Sequence, residues 1–280
     1  MREVTVHALR VGRCFHPQAM TIEGGSWRPA AFPALSMLLI HPAEGPVLYD
    51  TGYDPAFFRA TAPFPERLYR VATPAEIPPG EELAAQLRRL GIAPDDVRHL
   101  ILSHFHADHI AGAHLFPRAA IHCARAGLTA ARAGGRFSRV RHGILSALIP
   151  SDIDSRARYF EDGMRVPLPA DLAPFDSGVD LLGDGSMLAV ELPGHCPGHW
   201  GLFVRDAAAG PHLMVGDAAW SCEAIEQNRP PPPLATFLLG DTARTRSTLA
   251  KLHDLHRRNG DIRLTPCHCP RRAAEAEKPA

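Results

Sequence analysis

The chain has 280 residues, of which 45% are hydrophobic and 21% charged, which is typical of a globular protein with a substantial core. Thirty basic residues balance thirty acidic ones, and this net charge of zero disfavours nucleic acid as a partner. No apolar run is long enough for a membrane span, and the first residues lack the apolar stretch of a signal peptide. We therefore expect a cytoplasmic protein with no membrane segment.

Predicted strands dominate the first fifty residues. Residues 4–9 alternate between apolar and polar side chains, and two short apolar runs, 35–40 and 47–49, flank a turn that contains proline and glycine. The second run ends in the polar turn Asp50-Thr51-Gly52. We place this turn at the edge of a functional site, because polar residues at a strand end are well positioned to contribute side chains to one.

Residues 53–80 differ in character, because six prolines alternate with aromatic side chains such as Phe57, Phe58 and Phe64. Loops of this length are often functional, so the segment is either a lid or homodimer contact, or an irregular surface connection. Both alternatives remain open at this point. The next segment, residues 81–90, is amphipathic with period 3.6 and predicts a helix that ends at Gly91.

Four candidate metal ligands follow the apolar run Leu100-Ile101-Leu102, which predicts a buried strand. Strand alternation keeps the first two ligands on one side, and the following turn brings the other two back towards them. We expect a helix to begin near Gly112. Imidazoles and a carboxylate suit zinc, iron, manganese or cobalt, whereas a chance cluster in a histidine-rich surface loop is the alternative. The four residues are His104, His106, Asp108 and His109.

Charges segregate after this motif. Residues 110–151 contain six arginines and no acid, whereas residues 152–191 contain nine acids and three arginines. The arginines could line the mouth of a site for an anionic substrate, or the two segments could simply face each other. The equal and opposite net charges of the two segments favour the second interpretation.

Strands and helices alternate in the second half as well, which indicates the α/β class and one domain over residues 1–280. No glycine-rich dinucleotide loop is present. We expect residues 271–280 to form a frayed tail. The predicted elements are a hairpin at 179–192 with its turn at 183–186, strands at 201–204, 212–215 and 262–264, and a helix at 241–258 capped by Asp241.

Three strand ends in the second half each carry one further ligand-type residue beside glycine or proline: His195, Asp217 and His268. Together with the first cluster they provide five histidines and two aspartates, enough for two divalent ions. One ion would take His104, His106 and His195, and the other Asp108, His109 and His268. Asp217 could bridge the two, because a carboxylate has two oxygens.

These motifs, in this order, resemble those of the metallo-β-lactamase-fold hydrolases, and the likeness is greatest to acyl-homoserine lactonases. The resemblance implies a four-layer αβ/βα sandwich and a binuclear centre, usually of zinc, whose bridging hydroxide attacks an electrophile. It also implies that Asp108 carries a proton to the leaving group, and we expect Asp50 to orient a ligand imidazole. The matching motifs are Leu48–Gly52, His104–His109, Gly194–His199, Gly216-Asp217 and Cys267-His268.

Two positions depart from the lactonase pattern. Trp220 stands three residues after Asp217, where those lactonases have a tyrosine that helps hold the substrate carbonyl. We expect Trp220 to contact the substrate, although an indole N–H cannot exchange a proton as a phenol does. Cys196 replaces a threonine and, with Cys267 and Cys269, brings up to three thiols near the site, where ordinary packing is favoured over ligation.

The sequence thus predicts a hydrolase that acts on a small carboxylic ester, lactone or thioester with two divalent ions, zinc foremost. A phosphodiesterase or nuclease with the same centre is the second hypothesis. A non-catalytic metal-binding or sensor protein is the third, and it is disfavoured because every ligand position is filled.

Overall fold

The computed structural model describes residues 2–276, except for the side chains of Leu238 and Leu239. The strands are β1 (Glu3–Pro17), β2 (Pro29–His41), β3 (Gly45–Tyr49), β4 (Ala75–Glu76), β5 (His99–Ile101), β6 (Ala120–Cys123), β7 (Ala157–Tyr159), β8 (Met164–Pro167), β9 (Ser177–Asp180), β10 (Met187–Glu191), β11 (Trp200–Asp206), β12 (Gly210–Gly216) and β13 (Arg263–Pro266). The α-helices are α1 (Pro55–Ala60), α2 (Arg67–Ala72), α3 (Leu83–Arg89), α4 (Ala107–Ile110), α5 (Arg125–Arg132), α6 (Arg136–Arg141), α7 (Ile153–Arg156), α8 (Cys222–Glu226), α9 (Pro233–Leu239), α10 (Thr242–Arg258) and α11 (Pro270–Ala276).

The strands form two sheets that meet along β1 and β11. The first sheet has the order β7-β6-β5-β3-β2-β1, and the second has the order β8-β9-β10-β11-β12-β13. Residues Glu3 and Val4 of β1 pair in parallel with Arg205 and Asp206 of β11 and join the two halves. The chain is therefore a mixed α/β fold, as the sequence predicts.

Alternation along the strands divides the core into three layers of apolar side chains. In β2, Leu38 packs against the helices of the first half, whereas Met37 and Leu39 pack between the two sheets. In β11, Phe203 packs against the helices of the second half and Leu202 packs between the sheets. Two sheets covered on both outer faces by helices give the four-layer sandwich, because successive side chains of a strand point to opposite faces.

The site lies where strands end. Strands β3 and β5 are parallel neighbours in the first sheet, and β12 and β13 are parallel neighbours in the second. The residues that follow these four strands, and those that follow β10, are the ones that carry the candidate ligands. Parallel neighbours place the loops at their carboxyl ends side by side, so each sheet brings its own polar residues to one edge.

Several predicted elements agree with the structure. Residues 179–192 contain the antiparallel pair β9 and β10, and α3 occupies the amphipathic segment before Gly91. Asp241 caps α10, because its side chain accepts a hydrogen bond from the backbone N–H of Arg244. Strands and helices alternate in both halves of the chain, as the sequence predicts.

One expectation and one open alternative differ from the structure. The helix after β5 begins at Ala107 rather than near Gly112, because the chain turns directly after His106. The 53–80 segment is not irregular, since it contains α1, α2 and β4, and Asp54 caps α1 by accepting from the backbone N–H of Ala56 at 2.7 Å. The four-residue α4 and six-residue α1 and α2 are too short to show a clear helical period.

The expected frayed tail is wrong for residues 271–276, whereas residues 277–280 lie outside the described part of the chain. Helix α11 docks there through the buried side chain of Ala273. An ion pair of Glu275 with Arg263 at 2.7 Å, and another between Arg271 and Glu226, secure it further. Polar residues therefore form a docked helix here, because their charges find partners on the body of the protein.

The segregated charges largely pair with each other or with nearby acids. Arg132 meets Asp154 at 2.7 Å and Arg125 pairs with Asp162, so the two oppositely charged segments do face each other. Arg136 pairs outside these segments, with Glu66 at 2.5 Å. None of the described helices is long and apolar enough to cross a membrane.

Candidate metal centre

The structure brings all seven candidate ligands together in one buried cluster. In the second half, Asp217 directly follows β12, His268 is the second residue after β13, and His195 lies in the loop between β10 and β11. Their ligand atoms meet those of the histidines and aspartate that follow β5. The seven side chains form two overlapping sets, one of His104, His106, His195 and Asp217, and one of Asp108, His109, His268 and Asp217.

Asp217 lies between the two sets and turns one carboxylate oxygen towards each. Its Oδ2 is 3.3 Å from Nε2 of His195 and 4.0 Å from Nε2 of His104. Its Oδ1 is 3.4 Å from Nε2 of His109 and 3.3 Å from Nε2 of His268. This arrangement is the one expected of a bridging carboxylate, since each oxygen can serve a different ion.

The donor atoms fit divalent cations. The Nε2 atoms of His104, His109 and His268, and Oδ1 of Asp217, are buried and have no hydrogen-bond partner among the described residues. Buried polar atoms are normally paired, and nitrogen and oxygen lone pairs facing one another at these distances repel unless positive charge lies between them. An imidazole and carboxylate set of this kind is typical of zinc and is also compatible with iron, manganese or cobalt.

Outer partners fix the direction of three imidazoles. The Nδ1 atom of His109 lies 2.8 Å from Oδ2 of Asp50, and that of His268 lies 2.8 Å from the carbonyl of Pro33. The Nδ1 atom of His104 lies 2.9 Å from Oγ of Ser103. When Nδ1 donates to such an acceptor, the proton is on that nitrogen and the Nε2 lone pair is free for a cation.

Asp50 makes the most hydrogen bonds among these outer partners, which form an outer layer around the candidate ligands, and it is fully buried. Its carboxylate accepts hydrogen bonds from the backbone N–H of Ser103 at 2.8 Å and from the Ser103 hydroxyl at 2.7 Å, besides the one from His109. Its backbone has a φ of 58°, in the left-handed region that aspartate and asparagine tolerate better than most residues. The tight turn after β3 is therefore what directs this carboxylate inward.

The ionisation of the cluster follows from burial and charge. Burial lowers the pKa of the His104 imidazole well below its usual range and that of His106 to about 4, so both are neutral, as metal ligation requires. Burial alone would also lower the pKa of His109, but the carboxylates of Asp217, Asp50 and Asp108 raise it well above the usual value. The cluster thus attracts positive charge, which a metal ion would supply as a proton does.

His199 is a residue of this site that the sequence analysis did not single out. Its Nδ1 lies 3.0 Å from the carbonyl of Leu192, and its Nε2 accepts a hydrogen bond from the backbone N–H of Asp217 at 3.0 Å. It therefore holds the backbone from which the shared carboxylate projects. The second Pro-Gly-His element of the Gly194–His199 motif was the available signal.

The three cysteines near the centre occupy different environments. The Sγ atom of Cys267 lies 3.6 Å from Oδ2 of Asp50, on the outer side of the His109 ring. Cys269 is buried against Cys222, with the two Sγ atoms 3.3 Å apart. Cys196 belongs to none of the ligand clusters among the described residues. The arrangement supports packing rather than ligation for Cys196 and Cys269.

A cavity of about 570 Å³ opens over the cluster and reaches His106, Asp108, His195 and Asp217. Its walls are mainly apolar, and the 53–80 segment contributes Leu68 and Tyr69 among others. This segment therefore lines the approach to the centre, whereas its own Phe57 is buried in the core. The dimer-contact alternative for the segment stays a prediction.

Trp220 lies at the edge of this cavity beside the centre. Its ring packs against the imidazole of His268, with centroids 4.4 Å apart, and edge-on against Phe32 at 5.4 Å. It also lines the cavity wall, as a residue in contact with a bound molecule would. Its predicted contact with substrate stays a prediction that this placement supports.

The profile of the metallo-β-lactamase superfamily matches residues 30–265, which is most of the chain. The protein belongs to this superfamily. The match includes six of the seven clustered residues; His268 follows its end.

Curated proteins that are similar to this chain include lactonases. The N-acyl homoserine lactonase AttM of Azorhizobium caulinodans is 31% identical over 188 residues, which cover 64% of this chain and 61% of that protein. A probable metallo-hydrolase of Mycobacterium bovis is 30% identical over 254 residues, covering 84% of this chain and 74% of that protein. The chain thus spans less than two thirds of the length of the AttM lactonase it matches.

Solved structures that are similar to this chain share nearly all of its fold. An N-acyl homoserine lactone hydrolase with bound N-hexanoyl-L-homoserine superposes with a TM-score of 0.75 at 20% identity, over 98% of this chain and 97% of the other. AidC, a dizinc quorum-quenching lactonase, superposes with a TM-score of 0.62 at 15% identity, over 96% and 88%. These likenesses establish the metallo-β-lactamase fold for nearly all of the chain.

Proposed function

We propose that this protein is a metal-dependent hydrolase of a small carboxylic ester, lactone or thioester, and that it works with two divalent ions. One observation carries the proposal: Asp217 turns one oxygen towards each of two imidazole sets. A single ion would use one of these oxygens, and the second set of buried nitrogens would then be left without a partner.

The residues divide naturally between the two ions. Asp217 would be shared, and zinc is the metal that this set of neutral imidazoles and carboxylates suits best. Bound ions of this kind lower the pKa of a water molecule towards about 7 and polarise a carbonyl group. One ion would be held by His104, His106 and His195, and the other by Asp108, His109 and His268.

Asp108 is the residue that we assign to proton transfer. Its carboxylate lines the cavity, so a leaving group could reach it. Burial opposes its ionised form, but the neighbouring His109 and His268 outweigh burial and hold the pKa of Asp108 at about 2. The carboxylate is therefore ionised at neutral pH, can accept a proton during attack and can pass it to the departing oxygen or sulfur.

The substrate class follows from the cavity and the relatives. A mainly apolar cavity of about 570 Å³ suits an acyl chain with a few polar groups at the reacting end. Relatives named as N-acyl homoserine lactonases make lactones the first group to test. Trp220 can donate one hydrogen bond from its indole N–H to a carbonyl, so it could position substrate without exchanging a proton.

The test combines metal analysis with a substrate panel. Protein purified without chelator should contain about two ions per chain and hydrolyse at least one p-nitrophenyl ester, lactone or thioester faster than bis-p-nitrophenyl phosphate. His106→Ala and Asp108→Ala should lose essentially all turnover while circular dichroism stays that of the folded protein. Full activity in either variant with unchanged metal content would refute the assignment. Preference for the phosphodiester would instead favour the nuclease hypothesis.

A further inference from the structure

One cationic side chain faces the cavity above the candidate centre. Helix α6 lines the cavity with Phe137, Val140 and Arg141, whose spacing of three and four residues places them on one helix face. Among the described residues that line this cavity, Arg141 alone is an arginine or lysine. Arg141 is exposed, so its charge lies at the solvent edge of this mainly apolar cavity and would be shielded from water only when a ligand fills it.

The other arginines of this stretch are already occupied. Arg141 differs from them, because its exposed side chain makes no hydrogen bond or ion pair with any described residue. A guanidinium left without a partner beside an apolar wall is available to a ligand. The occupied residues are Arg118 with Asp95, Arg125 with Asp162, Arg132 with Asp154, Arg136 with Glu66, and Arg139, which donates to the carbonyl of Arg132.

The chain directly after Arg141 is fixed against a candidate metal ligand. The carbonyl of Gly143 accepts a hydrogen bond from the backbone N–H of Ala107 at 3.2 Å. Gly143 also lies so close to His106 that an added Cβ would be 2.9 Å from its Cδ2. Arg141 is thus tied to the centre through two residues of well-packed backbone rather than carried on a free loop.

We propose that Arg141 makes the protein selective for substrates with a carboxylate at the end of the acyl chain that lies away from the scissile bond. This inference rests on the proposed hydrolytic function and names the substrate class for it. The chain would lie along Leu68, Phe137 and Val140, and the terminal carboxylate would accept two parallel hydrogen bonds from the guanidinium of Arg141.

The expected size of the effect comes from the strength of such a contact. Hydrogen bonds to charged groups contribute enough to change an equilibrium constant by roughly 10- to 100-fold when they are partly shielded from water. A fully solvated arginine would instead give almost no discrimination. Selectivity for the charged chain over a neutral chain of equal length therefore distinguishes the two roles of Arg141.

Equilibrium binding is the first test, because it does not depend on turnover. Zinc-loaded protein is titrated by calorimetry with dicarboxylates from succinate to suberate and with monocarboxylates of the same lengths. At one chain length or more, the dicarboxylate should bind about 10- to 100-fold more tightly, and added salt should reduce the difference. Arg141→Gln should abolish it, and Arg141→Lys should keep part of it. Arg139→Gln, on the same helix, should retain it fully.

Kinetics then separate this inference from the proposed function. The ratio of kcat/KM for a p-nitrophenyl half-ester of the preferred dicarboxylate to that for the matched neutral ester should fall about 10- to 100-fold in Arg141→Gln, mainly through KM. Equal binding of both acid series by the parent protein, or the same loss in Arg139→Gln, overturns the role of Arg141. Charge-selective binding without hydrolysis of any ester overturns the proposed function and leaves the role of Arg141 standing.

Discussion

Replacement of Asp50 by asparagine tests whether the outer layer of the centre controls the ions. Asparagine has nearly the same shape and tolerates the left-handed backbone at this position, where φ is 58°. Its carbonyl oxygen can still accept from the backbone N–H of Ser103. Its amide group, however, would face Nδ1 of His109, where the carboxylate now accepts a hydrogen bond at 2.8 Å.

The asparagine amide and the Nδ1–H of His109 are both donors and cannot bond to each other. The His109 proton can therefore stay on Nδ1 or move to Nε2. If it stays on Nδ1, the buried hydrogen bond is lost; if it moves to Nε2, the nitrogen that faces Asp217 and Asp108 can no longer bind an ion. Loss of such an outer partner typically weakens metal binding 10- to 100-fold, or about 1.4 to 2.7 kcal/mol. The set of Asp108, His109 and His268 should be the one affected.

The assay is competition for zinc against a chromophoric chelator, with the content checked by elemental analysis. Asp50→Asn should lose one of two ions at a chelator concentration that leaves the parent fully loaded. Asp54→Asn is the matched control: Asp54 is also buried but caps α1, and asparagine is an equally good cap. Two ions of parental affinity in Asp50→Asn would refute this account of the outer layer.

Two further substitutions and one treatment give independent checks. Gly143→Ala should weaken metal binding at His106 and cost about 1 to 2 kcal/mol of stability, because φ is +72° and the new Cβ would press on the imidazole ring. Gly183→Ala is the control, because its φ is +77° but the space around it is open, so it should cost only the strain of the left-handed backbone and leave metal binding unchanged. Burial lowers the pKa of His122 from 6.5 to about 4, so the unfolded chain binds the extra proton between these pH values and stability falls as pH falls. In denaturant titrations, His122→Gln should remove about 2 kcal/mol of the loss between pH 7 and 5, and an unchanged loss would contradict this assignment. Chelation of the ions should lower the melting temperature, and readdition of zinc should restore it.

The clustering of the candidate ligands was largely predictable because these residues are concentrated in short motifs. Four ligand-type side chains within six residues after an apolar strand, such as His104 and Asp108, leave few arrangements open. Asp217 and His268 were predictable only as strand-end residues beside glycine or proline that complete the same donor set. The structure adds which oxygen of Asp217 faces which imidazole, a detail that spacing alone does not contain.

Other features depend on contacts that a single sequence does not reveal. Residues 271–276 have a polar composition typical of a frayed end, and only the partners on the body of the protein, such as Glu226, make them a docked helix. The Gly194–His199 motif marked the position of His199, but not its role, which is to accept a hydrogen bond from a backbone N–H 18 residues away. The availability of Arg141 likewise became visible only when its neighbours were seen to be paired.

The origin of the seven ligands has a consequence for how the molecule responds to its surroundings. Four come from the first half and three from the second, so each proposed ion would link the two halves, adding to the side-chain packing, the β1–β11 pairing and the hydrogen bonds that already join them. The stability that a bound ion adds depends on the concentration of free ion. Above the dissociation constant, each tenfold fall in that concentration lowers the free energy of unfolding by about 1.4 kcal/mol per site. Under metal scarcity the two halves should separate first at the edge that carries the candidate ligands, before either half loses its own core.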